Sequence, residues 1–566
     1  ASLIIQHQLE DKLKAHGYLI NFLKASGLLD RLCKVPVRSS MMSTRWHLCE
    51  HAEKLAAAIA LRGIHAQHAA LIDGCIQMVL EQRGERVKSG LTPQDMFYRE
   101  VSKVDELLLM LTEMETEAAT GGATATEASR IIAEVNTIVT CMLREAGQYR
   151  QNKRTMYISP SQRDEVEFIP WTASLGPQGC RELLKNQHTI TLEAALPQAQ
   201  DAHSRGALYQ QLVELTDLVL DGYNAQLDSL RRLAGGEEHY KEVLNQYEQD
   251  RNLLIAPFVE HEQFERAAAL GEKYCDFTTL IRICEVTNNQ ERLNRYMSQF
   301  QSKGFADHVF RYYTEEGKRG KLMSMSLAKN PRLGSFLQAG ENKFMSWLHD
   351  INANNYTKAH KTLLELGEEE TKSVAKKKTL LSLSKLAALA GDDQGREVKQ
   401  NVEDINDLHD LILHQEQLPS DVLESLALDP DNMRVMSPKE LVELFVSEYN
   451  KDATEFDVKK ALDLLHYVQK YEPQADVQAL KLHVWCRAIL RDSWDTLEGD
   501  DPLVAARDTV FFKTVELAYT EGISLREFLP DINQLLAADE LGALKNNKHF
   551  QFLIKAGYEH LQRITS

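Results

Sequence analysis

The chain is 566 residues long, 43% hydrophobic and 26% charged, with a net charge of −18. That length holds several folded cores, and the composition is that of a globular protein rather than a disordered one. The negative balance argues against broad nucleic-acid binding, which needs lysine and arginine to neutralise phosphates.

The fourteen prolines are few and clustered, and the stretches between them carry helical rather than strand-like periodicity. Leu9, Leu13, Leu19 and Leu23 set the first helix, and the start ASLIIQHQLEDKLKAHG reads as amphipathic helix rather than as a signal peptide. It opens in mid-pattern without Met, which reads as part of a longer protein. Cys49, Leu55, Ala56, Ile59 and Ala60 continue the pattern. Asp95–Leu111 follows Thr92-Pro93, a pair suited to a helix start. Ala118–Ser129 is small and polar and predicts an exposed loop. Ser159–Cys180 holds three prolines with Phe168, Ile169 and Trp171 among them, which predicts an extended segment pinned onto the helices. No run of 18 apolar residues occurs, so no membrane span is expected.

Past Asn252 the expected helices are short and regular: His261–Gly271, Asp276–Val286, Gln290–Gln301 and Phe305–Gly317. Asn288-Asn289 and Gly304 supply the turns. Short antiparallel helices in series indicate stacked helical pairs, and the lack of a strict period favours an irregular stack over a regular repeat array. Ala328–Asn342, with Pro331, Gly334 and Gly340, reads as a hinge. The chain therefore divides into 1–158, an N-terminal helical region; 159–330, a middle stack entered through the proline segment; and 344–566, a helical tail. The expected fold is all-α, an elongated solenoid-like rod of antiparallel helices.

The tail holds 39 acids and 25 bases, net −14 of the chain's −18. Against that background Ser373–Gly391, SVAKKKTLLSLSKLAALAG, stands out. Thr379, Leu383, Leu386 and Ala390 share one line of the helix, Leu381, Ala388 and Leu389 point to roughly the opposite side, and Leu380 with Ala387 falls between. A helix apolar on both sides is either central in a core or half covered by its own chain and half by a partner. Lys376, Lys377, Lys378 and Lys385 favour the partner, because lysine is rarely buried. Beyond it come a long acidic helix, Val398–Gln415, then the pair Asp457–Tyr471 and Val477–Arg491. Final helices are expected around Thr509–Thr520, Leu525–Leu536 and Phe550–Gln562.

Signatures of chemistry are sparse. His47-Leu48-Cys49-Glu50-His51 matches the H-x-x-E-H zinc pattern, but zinc needs a third ligand and none is identifiable, so solvated or capping histidines are expected there and at His65 and His68. Gly317-Lys318-Arg319-Gly320-Lys321 lacks the earlier glycine and the following Ser or Thr of a phosphate loop: Glu315 and Leu322 stand there. A basic helix C-terminus is the alternative reading. Eight scattered cysteines with apolar neighbours look like buried free thiols of a reducing compartment. No enzyme activity and no cofactor are expected.

Several stretches together resemble the vertebrate ~133 kDa scaffold nucleoporins: HQLEDKLKAH (7–16), LCEHAEKLAAAI (48–59), AAALGEKYCDF (267–277), GKRGKL (317–322), AKKKTLLSLSKLAALA (375–390), LHQEQLP (413–419) and VKKALDLL (458–465). The resemblance reaches Lys545–Tyr558 and covers essentially the whole chain. It implies an irregular helical stack in the Y-shaped outer-ring complex of the nuclear pore, at the nuclear envelope, and support of pore assembly, mRNA export and protein import. It also implies that the tail docks on a scaffold nucleoporin of ~107 kDa, with other outer-ring nucleoporins nearby. Lys376, Thr379, Leu383, Lys385, Leu386 and Ala390 are the expected contact residues. Direct nucleic-acid contact is not implied. Membrane contact is not either, since the membrane-sensing propeller half of such proteins lies outside this sequence. The alternative is a tether or coat subunit of a vesicle-trafficking complex, which uses the same architecture.

Overall fold

The computed structural model describes residues 2–35, 37, 42–157, 166–324, 329–339, 342–392, 395–497 and 501–565. Among them every regular element is helical. The helices group into two compact units, 1–312 and 313–566.

Local sequence chemistry starts and stops most of them. Thr92 and Asp95 form a reciprocal capping box ahead of Pro93–Arg99, with Pro93 in the first turn. Asp201, Asp276 and Asn289 each accept a hydrogen bond from the amide three residues on. The left-handed turns Asn288 and Gly304 sit where turn chemistry puts them. One expected loop is shorter than its sequence suggests. In place of the loop Ala118–Ser129, helices run over Lys103–Thr120 and Ala125–Tyr157. Alanine, threonine and glutamate all tolerate a helix, and only residues 121–124 interrupt it, with Gly122 at φ 92°. Glu237–Glu260 runs through Pro257, and the turn before Phe264–Tyr274 has Glu262 at φ 59°.

In the first unit Thr44–Ile64 lies along Ala125–Tyr157, and Ala202–Arg232 packs on Glu237–Glu260. Of the proline-containing segment, 159–165 falls outside the described residues. Its remainder is pinned: Phe168 stacks on Trp46 at 4.0 Å, and the Phe168 amide donates to Ser229 Oγ at 2.8 Å. Trp171 Nε1 donates to Asp105. A Cβ at Gly222 would stand 2.5 Å from that of Ala173, so this glycine lets the segment lie flat on Ala202–Arg232.

The helices Thr44–Ile64 and Ala69–Gln82, joined by one 3₁₀ turn, are together long and apolar enough to cross a membrane by length and composition alone. Leu55, Leu61, Ile72, Ile76 and Val79 are buried in the protein's own core, and Glu53 on the same helix pairs with Arg150 at 2.8 Å. Protein, not lipid, covers these faces.

In the second unit one apolar core runs from Leu364 to Tyr558, with Trp485 packed edge-on to Phe511 and Phe528 and Trp494 to Phe550. Of the segment 328–342 read as a hinge, 328 and 340–341, with Gly340 among them, lie outside the described residues, and Pro331–Ala339 is a helix with Leu333 and Leu337 fully buried. Pro331 opens its first turn, and a Cβ on Gly334 would stand 3.1 Å from the His349 ring, so that glycine serves close packing rather than bending. Asp457–Tyr471 is two helices, Glu455–Asp463 and Leu465–Tyr471, and Leu525–Leu536 is split at Leu529-Pro530.

Gly557 lies against Phe512, where a Cβ would approach the ring to 2.2 Å. Gly557→Ala is expected to lower stability by ~1–3 kcal/mol through overpacking. Chemical denaturation measures it, and Phe512→Leu in the same chain should recover part of the loss.

Candidate partner-docking surface

The helix Val374–Ala390 is fixed at both ends. Ser373 Oγ accepts from the Lys376 amide at 3.3 Å, the Val374 amide donates to the Met433 carbonyl at 2.9 Å, and the Val435 amide to the Thr371 carbonyl at 3.0 Å. At the far end the Gly391 amide returns to the Ala387 carbonyl at 3.1 Å.

One side of the helix is buried: Val374, Lys377, Leu381, Ser384, Ala387 and Ala388. Leu381 meets Tyr356–Glu369 at Gly367, where a Cβ would come within 2.8 Å of Leu381 Cδ2. Ser384 Oγ donates to the His360 carbonyl at 2.9 Å. His360 Nδ1 lies 3.0 Å from the Ser384 carbonyl and Nε2 lies 3.2 Å from Asn401 Nδ2. These partners assign the neutral tautomer with the proton on Nδ1. Burial holds the His360 pKa below its ordinary value.

The lysines have other work than the sequence suggests. Lys377 is buried, and its Nζ donates to the carbonyls of Glu368 and Glu370 at 3.2 and 3.4 Å, capping the C-terminus of Tyr356–Glu369. Burial lowers its pKa, against the pull of Glu368 and Glu370. Lys376 pairs with Glu370 at 2.7 Å and Lys378 with Glu416 at 2.9 Å, and Lys385 donates to Asn406 Oδ1 at 2.8 Å.

The opposite arc is bare. Leu386 is 62% and Leu389 63% exposed, with Thr379, Ala375 and Ala390 also exposed. Thr379 Oγ1 is turned back on the Ala375 carbonyl at 2.9 Å, so the apolar character of the arc is not interrupted by a free hydroxyl. Leu383 is half-buried, packed with Trp347, Ile351 and Leu380 on a cluster of Ala359, Leu363 and Ala387. Of the six expected contact residues, Lys376, Thr379, Leu386 and Ala390 are exposed while Leu383 and Lys385 are half-buried. Leu389 overturns the expectation that it faces the core. At 3.6 residues per turn it lies about 80° from Leu381 but only about 60° from Leu386, so it falls on the open arc.

Elsewhere the motif residues are part of ordinary packing. Glu50 is held by Lys54 at 2.8 Å, and the His51 ring lies 5.9 Å from that of His16. Burial, then the neighbouring His51, lowers the His16 pKa to about 4. Among the described residues no group of three or more His, Cys, Asp or Glu is placed to hold a metal ion. Gly317 and Lys318 close the C-terminus of Phe305–Glu315, with Gly317 left-handed at φ 68° and the amides of Gly317 and Lys318 donating to the carbonyls of Thr314 and Tyr313 at 3.2 and 2.9 Å, and the chain turns from there into the short helix Arg319–Leu322. Arg319 lies over Phe344 at 5.2 Å and Lys321 over Tyr313 at 5.8 Å.

Residues 180–452 match the family described as non-repetitive/WGA-negative nucleoporin C-terminal. The chain is 45% identical to nuclear pore complex protein Nup133 of Danio rerio over 568 aligned positions, which cover 100% of this chain and 50% of that protein. It is 44% identical to Nup133 of Homo sapiens, over 99% of this chain and 48% of that one. With Nup133 of Drosophila melanogaster it is 32% identical, over 99% and 46%. The chain thus spans about half the length of the curated relatives it matches.

His360 is held neutral by burial, so its folded pKa lies below the ordinary 6.5. A depressed histidine pKa contributes stability above the unfolded value, and that contribution is lost as pH falls through it. The denaturation midpoint of the tail should therefore fall on acidification below pH ~6.5, and His360→Asn should flatten that part of the profile relative to the parent chain.

Proposed function

Since this chain belongs to the Nup133 family of nucleoporins, we propose that it is a scaffold segment of the nuclear pore complex whose second unit docks on another scaffold nucleoporin. The observation that carries the docking reading is the open arc of Val374–Ala390. Two leucines more than 60% exposed stand one turn apart on a helix whose opposite side is locked into the core. Exposed leucines scattered singly need no explanation, but two on one line of a helix form an anchor for a partner's apolar surface.

The partner is a second scaffold nucleoporin of ~107 kDa, seated on Leu386, Leu389 and Ala390 with the edge of Leu383. Thr379 and Lys376 lie at the start of the arc, and Lys385 at its flank. Lys376, Lys378 and Lys385 are already paired within the chain, so they contribute to encounter with an acidic partner more than to affinity. Residues 344–566 are taken as the docking tail, and the role in mRNA export and protein import follows from holding the pore together. The work is structural rather than catalytic, and it gives this chain no part in contacting nucleic acid or membrane.

The test is affinity and melting on the same variants. Leu386→Glu and Leu389→Glu should each weaken binding to the ~107 kDa nucleoporin at least ~10-fold, ~1.4 kcal/mol or more, and leave the melting midpoint of the free chain unchanged. Leu381→Ala should instead cost ~2–5 kcal/mol of stability, as a core truncation does. Lys376→Ala should weaken binding modestly, and more at low salt than at high salt. Leucine variants that bind normally would place the interface elsewhere.

A further inference from the structure

Of the eight thiols, Cys49, Cys75, Cys180, Cys284 and Cys486 are buried. Burial pushes Cys75, Cys180 and Cys486 up to about 12 and Cys284 to about 11, and raises Cys49 as well, so these sulfurs stay protonated and inert. Cys275 differs in place and in company. It is half-buried, in the turn that closes Phe264–Tyr274, held in the left-handed conformation at φ 54°. Its Sγ lies 3.2 Å from Nζ of Lys303, a residue of the 3₁₀ turn before Phe305–Glu315. It is the one thiol among the described residues with an amine in hydrogen-bond contact. Lys303 is exposed, so a small oxidant reaches the pair from solvent.

We infer that Cys275 and Lys303 form a reversible covalent link, a sulfenamide, when the protein meets hydrogen peroxide. The lysine ammonium and the cysteine sulfur are set for both halves of the reaction. The Cys275 thiolate attacks one peroxide oxygen, forming the S–O bond and breaking O–O, and the departing hydroxide takes a proton from the Lys303 ammonium to leave as water. The products are a sulfenic acid and a neutral amine. The amine lone pair then attacks sulfur, forming S–N and breaking S–O, and the second hydroxide leaves as water with the proton lost from nitrogen. Sulfur gives up two electrons and peroxide accepts them. Sulfenic acids are known to condense with nitrogen in this way, and thiols reverse it. The link closes a loop that contains the helices Phe277–Val286 and Gln290–Gln299, so it clamps that part of the first unit against local opening.

The full chain is treated with hydrogen peroxide in slight excess and mapped by peptide mass spectrometry. A joined peptide pair containing Cys275 and Lys303 is expected, about 2 Da lighter than the two reduced peptides together, resistant to trypsin at Lys303 and separated by dithiothreitol. Hydrogen exchange in 277–299 should slow in the oxidised chain. Lys303→Arg keeps the charge at that turn, so it leaves the fold in place. It should abolish the link and leave Cys275 to proceed to sulfinic acid. A parent chain in which Cys275 is recovered unmodified, or as sulfinic acid with Lys303 free, overturns the inference, as does the same mass loss in Lys303→Arg.

Discussion

Leu381 approaches Gly367 closely enough to fix the rotation of Val374–Ala390. With no Cβ at Gly367, Tyr356–Glu369 lets the leucine come to van der Waals contact, and any larger residue would push the two helices apart. Ser384 and His360, one turn along, exchange hydrogen bonds that are satisfied only at this rotation. Lys377 adds a third constraint by closing the carbonyl end of the neighbouring helix. Once these three contacts are made, the remaining arc has no choice of direction, and Leu386 and Leu389 stand outward.

The same segment shows how a charged side chain is used according to its surroundings. Four lysines in a short stretch of an acidic tail suggest a basic patch for a partner. In the folded chain each has a partner of its own within 3.4 Å, and the exposed pairs are of the kind that contribute little to stability. Lys377 is the exception because its ammonium is desolvated and paid for by main-chain carbonyls at a helix end, where the dipole also favours a cation. What is left for recognition is apolar area flanked by charges that are largely neutralised.

The first unit relies on buried polar contacts between its long helices. Glu53, pushed up to about 7 by burial despite the nearby Arg150 guanidinium, joins Thr44–Ile64 to Ala125–Tyr157. Gln187 links Glu115 at 3.1 Å to Asn136 at 3.2 Å, and Asn136 Nδ2 continues to Thr191 at 2.8 Å. Each such group has few alternative partners, so the contacts select one register between helices whose apolar faces alone would tolerate several.

Much was legible in the sequence because helices carry their own instructions. Periodicity gave the all-α class, and caps and turn residues at Thr92, Asp276, Asn289 and Gly304 placed helix ends to within a few residues. The doubly apolar character of Ser373–Gly391 could also be read from spacing alone. Spacing could not say which leucine faces which side. Leu383 and Leu389 lie at similar angles on either side of Leu386, and only the positions of the neighbouring helices make one half-buried and the other bare. The same holds for Pro331–Ala339, where a proline and a glycine spell a hinge until His349 is seen to need the space at Gly334. Local sequence determines where a helix begins, ends and turns apolar. Which of its faces is covered depends on residues far along the chain, whose approach is decided by packing.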